Sequence, residues 1–155
     1  MAQQNTDTIH WRKDYKLKWE DFQGVPDSNS IGVAGTSIGY ECIPFYAADS
    51  NLNFIINCAF FKNISWAKNF RTPYILNHEQ GHFNIAEVYA RTMQATLNAY
   101  KFPEGNVTHT VKSIYDSITF LQEKFQERYD AETNNSQNKF KQKEWDSKIK
   151  SMLNK

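Results

Sequence analysis

The apolar pattern of this chain changes period at Thr72-Pro73, and no other feature constrains the fold as much. Upstream, apolar residues alternate as they do on strands. Downstream, they recur every three or four residues as they do on helices. A chain of 155 residues organised this way predicts one α+β domain over residues 1–155, sheet first and helices second. Thr72 is a favourable N-cap, and Pro73 suits the first helical position. A stripe of Leu76, His82, Ile85, Tyr89, Met93 and Leu97 then predicts a long helix, stopped by "KFPEG" at 101–105. A second helix is expected over about 109–132, with Val111, Ile114, Ile118, Leu121, Phe125 and Tyr129 along one side. "TNNSQN" (133–138) breaks it, and a last helix carries Phe140, Trp145, Ile149 and Leu153 on one side. The lysines around that helix read as its solvated face.

In the first half, "KLKWEDF" (16–22) alternates like a strand and "QGVPDSNS" (23–30) is rich in turn residues. "IGVAGTSIGYECIPFYA" (31–47) has a strand-like pattern. "NLNFIINCAFF" (51–61) sets Phe54, Ile56, Cys58 and Phe60 on one face and Ile55, Ala59 and Phe61 on the other. That strand is expected to be covered on both sides. Cys42 and Cys58 lie in these segments, either as buried thiols or as one bridge between neighbouring strands.

Charge excludes some partners. With 18 basic and 17 acidic residues the net charge is +1, which gives no reason to expect nucleic acid or a membrane surface. No apolar run approaches the roughly 18 residues needed to span a bilayer. The opening "MAQQNTDTIH" is polar and lacks the apolar stretch of a signal peptide, and residues 1–8 are expected to be flexible. A cytoplasmic protein and the mature form of an exported one both fit this start.

The chemistry concentrates in "YILNHEQGHFNIAEVYAR" (74–91). His78 and His82 are four apart, so they stack on one helix face and can reach one Zn²⁺ at about 2.0–2.1 Å each. Glu79 stays off the metal and can act as general base on a zinc-activated water. Both histidines fall on or beside the apolar stripe, where an unpartnered ring is costly to bury. Gly81, mid-helix, costs about 1 kcal/mol relative to Ala, which makes sense where substrate or another backbone comes close. The bland alternative is a pair of core-edge histidines hydrogen-bonded to neighbours. A zinc site needs a third protein ligand. Glu87 lies five residues past His82 and points about 140° away around the helix. His109, Glu127, Asp130 and Glu132 remain as candidates.

Four segments together resemble a bacterial family, domain of unknown function 922, regarded as secreted zinc-dependent proteases. They are "IHWRKDYKLKWEDFQGVP", "AFFKNISW", "LNHEQGHFNIAEVYAR" and "YDAETNNSQNKFKQKEW". The likeness covers nearly the whole chain. It implies a zincin-like fold, with a twisted N-terminal sheet packed on the metal helix and two further C-terminal helices. It also implies a peptide or protein substrate and a secreted or periplasmic location. His78 and His82 match the family's metal histidines and Glu79 its catalytic glutamate. Tyr129, Asp130 and Thr133 match the Tyr, Asp and Thr of its second signature, in which a Gln and a Trp follow. The signature's His is Asn135 here. The third ligand is then Asp130, if the aspartate serves, or is lost, if the family relies on that His. Tyr129 is either an oxyanion donor or the last core residue of its stripe. Three functions follow: a zinc metallopeptidase, an inactive metal-binding relative that holds a peptide or glycan, and a metal-free interaction module.

Overall fold

A computed structural model describes residues 7–49, 51–102 and 106–155. Of the expected flexible lead, residues 1–6 lie outside the described residues, and Thr8 already belongs to a strand. The architecture is mixed α+β, with a small sheet followed by three helices. Strands β1 (Thr8–His10), β3 (Ile38–Tyr46) and β4 (Leu52–Phe61) form an antiparallel sheet in the order β1-β4-β3. Two short strands, β2 (Ala34–Gly35) and β5 (Trp66–Ala67), pair beside it. Helices α1 (Pro73–Ala99), α2 (Val107–Thr133) and α3 (Lys139–Leu153) complete the chain.

Helix α1 begins where the sequence places it. The Thr72 hydroxyl accepts a hydrogen bond from Ile75 N at 3.1 Å, with Pro73 behind the cap. The helix lies between two partners, and this changes its expected single stripe. Phe83, Ala86 and Ala90 pack with Cys58 and Phe60 of β4, while Ile85 packs with Tyr129, Trp145 and Ile149 of α2 and α3. Met93 and Leu97 meet Phe54 and Ile118. Two faces are therefore buried, and α1 is the centre of the fold. Of "KFPEG", residues 103–105 lie outside the described residues; α1 has already ended at Ala99.

Side-chain amides of α1 tie down backbone that the sheet leaves open. Strand β1 pairs with β4 only along residues 59–61, so the same edge of β4 is unpaired further back. There Gln94 accepts from Ile56 N at 2.9 Å and donates to the Phe54 carbonyl at 2.6 Å, doing what a neighbouring strand would do. Gln80 likewise accepts from Leu17 N at 2.8 Å.

Several local expectations are corrected. "KLKWEDF" forms a 3₁₀ turn over Trp19–Asp21, because the Asp21 carboxylate accepts from Lys18 N at 2.8 Å and from the Tyr15 hydroxyl at 2.9 Å. Strand β4 is covered on both faces only in its second half: Ala59 is buried, whereas Ile55 is 46% exposed opposite Ile43, which is also exposed. Leu121 is 52% exposed and Gln122 faces inward in its place, because α2 is rotated to bring Ile118, Gln122, Tyr129 and Thr133 inside. Phe140 is 71% exposed; Gln142 takes the buried position on α3 beside Trp145 and Ile149. Cys42 and Cys58 are free thiols, a diagonal pair whose direct partners across the ladder are Ile56 and Tyr40. Among the described residues, no helix is long and apolar enough to cross a membrane.

Candidate metal centre

His78 and His82 sit one turn apart on α1 and present their Nε2 atoms to the same point, 3.3 Å from one another. Asp130, near the end of α2, brings Oδ1 to 3.1 Å from His78 Nε2 and 3.0 Å from His82 Nε2. Two bonds of about 2.0–2.1 Å at the tetrahedral angle hold their donor atoms about 3.3 Å apart. The three separations match that spacing, so the donor set fits a small tetrahedral cation with its fourth position left open. Of the other third-ligand candidates, Glu127 pairs with Lys124 at 2.7 Å. Glu132 accepts from Arg128 at 2.6 Å and from Trp145 at 2.9 Å. His109 is in the first turn of α2, away from the group that His78, His82 and Asp130 form.

The orientation of both rings is fixed from behind. His78 Nδ1 lies 2.8 Å from Gln142 Oε1, and His82 Nδ1 lies 2.5 Å from Gln126 Oε1. The sense of each amide follows from its other contacts. Gln142 Nε2 donates to the Asp146 carboxylate at 2.8 Å, and Gln126 Nε2 donates to the His82 carbonyl at 2.9 Å. Both of those partners can only accept, so each glutamine turns its oxygen toward a ring. Each Nδ1 therefore carries a hydrogen, and each Nε2 faces Asp130, where it can hold a metal ion through its lone pair or, without one, a proton donated to the carboxylate.

Charge at the group is tightly coupled. Burial pushes the Asp130 carboxyl up, but the hydrogen bonds from the two imidazoles outweigh it and hold the group well below the usual carboxylate range. Burial pushes His82 down, while the hydrogen bond to Asp130 and the charge of Glu79 outweigh that and bring it up to about 9. The cluster thus favours positive charge at its centre. A proton on His82 supplies it, and so does a metal cation.

Glu79 is only 4% exposed, and its Oε2 accepts from the Thr36 hydroxyl at 2.6 Å. It lines a cavity of about 490 Å³ between the β2 segment and α2, as do His78, His82 and Asp130. Asn135 lines the same cavity, in a turn where Asn134, Asn135 and Ser136 all have positive φ (49°, 47° and 72°). Asparagine tolerates the left-handed region better than most residues. The Asn135 N–H donates to the Asp130 carbonyl at 2.9 Å and closes the end of α2.

Tyr129 is fully buried and stacks on the His78 ring at 4.6 Å. Its hydroxyl donates to the His78 carbonyl at 3.1 Å and accepts from Gln142 Nε2 at 2.7 Å, so both of its hydrogen-bonding directions are engaged inside the protein. This geometry places Tyr129 beneath α1, supporting the His78 turn and away from the cleft. It also revises the reading of Gly81. A Cβ there would fall within 2.8 Å of Tyr129 Cζ and closer still to the hydroxyl. What approaches Gly81 is a side chain of α2, and neither substrate nor another backbone.

Thr36, Gln126 and Gln142 were not singled out from sequence. Gln142 lies in the segment that resembles the second signature, in which a Gln follows, and that is the one signal available for it. Thr36 and Gln126 carry none.

Fold and site together define a mixed α+β protein with a possible His-His-Asp metal-binding group at the junction of two helices. Residues 63–138 match the model of the family described as bacterial protein of unknown function (DUF922), which supports the chain's place in that family. The match spans β5, α1 and α2, and so contains all three candidate ligands and Glu79. Comparison with curated proteins and with solved structures gives no match for the chain.

Proposed function

We propose that this protein is a zinc-dependent metallopeptidase of zincin-like arrangement, exported by the cell, acting on peptide or protein substrates. The observation that carries the reading is the 3.0–3.3 Å spacing of three converging donors, with a buried carboxylate one residue along the same helix. His78, His82 and Asp130 would hold the ion. Two imidazoles and one carboxylate suit zinc, and a catalytic site keeps a fourth position open. Bound there, zinc supplies a Lewis acid and acidifies the water it holds. Glu79, held by Thr36, takes the proton from the attacking water and delivers it to the leaving amine nitrogen. Gln126 and Gln142 keep both Nε2 atoms aimed, and Tyr129 supports the His78 turn from below.

The experiment is metal analysis of the purified chain together with hydrolysis of an unfolded protein substrate before and after chelation. Roughly one zinc per chain is expected, with hydrolysis lost to chelator and restored by zinc. A chain that takes up no zinc overturns the metal site. A chain that holds zinc yet cleaves nothing supports the second reading, a non-catalytic metal domain that binds a peptide or glycan. Asn135, standing where the family signature has His, is the observation that favours that alternative.

The supporting amides give a separate prediction. Gln142→Ala is expected to weaken zinc affinity by roughly 10–100-fold through loss of ring orientation. Competition with a chromophoric chelator measures it, and an unchanged affinity would count against this role.

A further inference from the structure

We infer that the metal cleft selects an extended peptide bearing a lysine or arginine side chain, which Glu123 and Glu127 receive, while Gln122 hydrogen-bonds the peptide backbone. This rests on the peptidase reading above and names its substrate class.

Among the described residues, the charged side chains lining the cavity, apart from the two histidines, are Glu79, Glu123, Glu127 and Asp130, and no Lys or Arg lines it. Glu79 and Asp130 belong to the metal chemistry and offset the charge of a divalent ion. Glu123 and Glu127 then remain as excess negative charge. They lie on the same side of α2 as Asp130, at spacings of four and three residues. At 1.5 Å rise per residue they stand about 10.5 and 4.5 Å along the helix axis from Asp130. An extended peptide advances about 3.3 Å per residue. The two carboxylates therefore flank positions about one and three residues from the peptide bond over the metal. Glu127 is engaged with Lys124, but both side chains are more than half exposed, and such a pair exchanges readily for an incoming cation. No ion pair involves Glu123 among the described residues.

Gln122 makes the second, independent case. It is 7% exposed and lines the cavity, yet its amide has no hydrogen-bond partner among the described residues. The amide opens into the cavity with both its donor and its acceptor unengaged, so it is placed to bond a ligand that offers an acceptor and a donor. A peptide backbone offers both. This molecule already contains that contact in Gln94, whose amide bonds the N–H and C=O of residues two apart on β4.

The test uses zinc-loaded Glu79→Gln protein and two labelled peptides of equal length, one with lysines where the other has glutamates. Fluorescence anisotropy at low salt is expected to show the lysine peptide binding at least ~10-fold tighter. In Glu123→Gln/Glu127→Gln that preference should fall to within ~3-fold, and Gln122→Ala should weaken both peptides alike. Equal affinities, no binding of either peptide, a preference that survives the double substitution, or unchanged affinity in Gln122→Ala each overturn the inference. Zinc content and wild-type hydrolysis on the same preparations keep the two readings apart. Cleavage without charge preference overturns only the selectivity, whereas lysine preference without cleavage overturns only the peptidase.

Discussion

Glu79→Gln protein is expected to retain its zinc and to lose peptidase activity by at least ~10²-fold, the usual scale for loss of a general base. The two properties separate because Glu79 is not one of the three converging donors, while its carboxylate lines the cavity they share. Glutamine has the same shape and can still accept the Thr36 hydroxyl hydrogen bond, so the buried position remains filled and partnered. What it cannot do is take a proton from water. Zinc content and kcat/KM measured side by side make the comparison. Wild-type turnover in the variant would refute the general-base assignment, and lost zinc would mean that Glu79 supports the metal itself.

Asp130→Ala should reduce zinc affinity by ~10²-fold or more, beyond the range for residues that merely orient ligands. The substitution takes away the one donor that α2 contributes and leaves two histidines on a single helix. Asn135→Ala should change affinity by less than about 3-fold, because a neutral amide is a poor zinc donor. Asn135→His is the sharper comparison. The left-handed turn at φ 47° accepts histidine more readily than most residues, and the position lines the cavity. If that variant binds zinc more tightly and gains peptidase activity in an otherwise inert protein, the histidine of the family signature is the true ligand. The Asp130 assignment would then fail.

Local chemistry was legible in the sequence, and distant chemistry was not. The cap at Thr72-Pro73 and the pairing of His78 with His82 depend on residues within one helical turn, where spacing alone places side chains. Asp130 could be chosen from among four candidates only through the family resemblance, since its contact with His78 spans 52 residues. Gln126 and Thr36 act across 44 and 43 residues, and nothing in their own neighbourhoods distinguishes them from surface polar residues; Gln142 acts across 64, and its place in the signature segment does not say what it touches. Leu121 and Phe140 misled for the opposite reason. An apolar residue at the right period says little about which way a helix is rotated when two others compete to cover it, and here polar Gln122 and Gln142 took the inward places. "KLKWEDF" failed because Asp21 offered its backbone a local alternative that periodicity does not register.

The donors are spread unevenly along the chain, with two on α1 and one almost at the end of α2. A cation held between them closes the whole intervening loop, much as a covalent cross-link would. Helix α2 opening away from α1, a local fluctuation that would expose backbone to proteases, then requires the ion to be released first. Under the proposed function, metal supply would govern survival as well as chemistry. In a zinc-poor environment the chain should then become a substrate for proteases before it loses its overall fold.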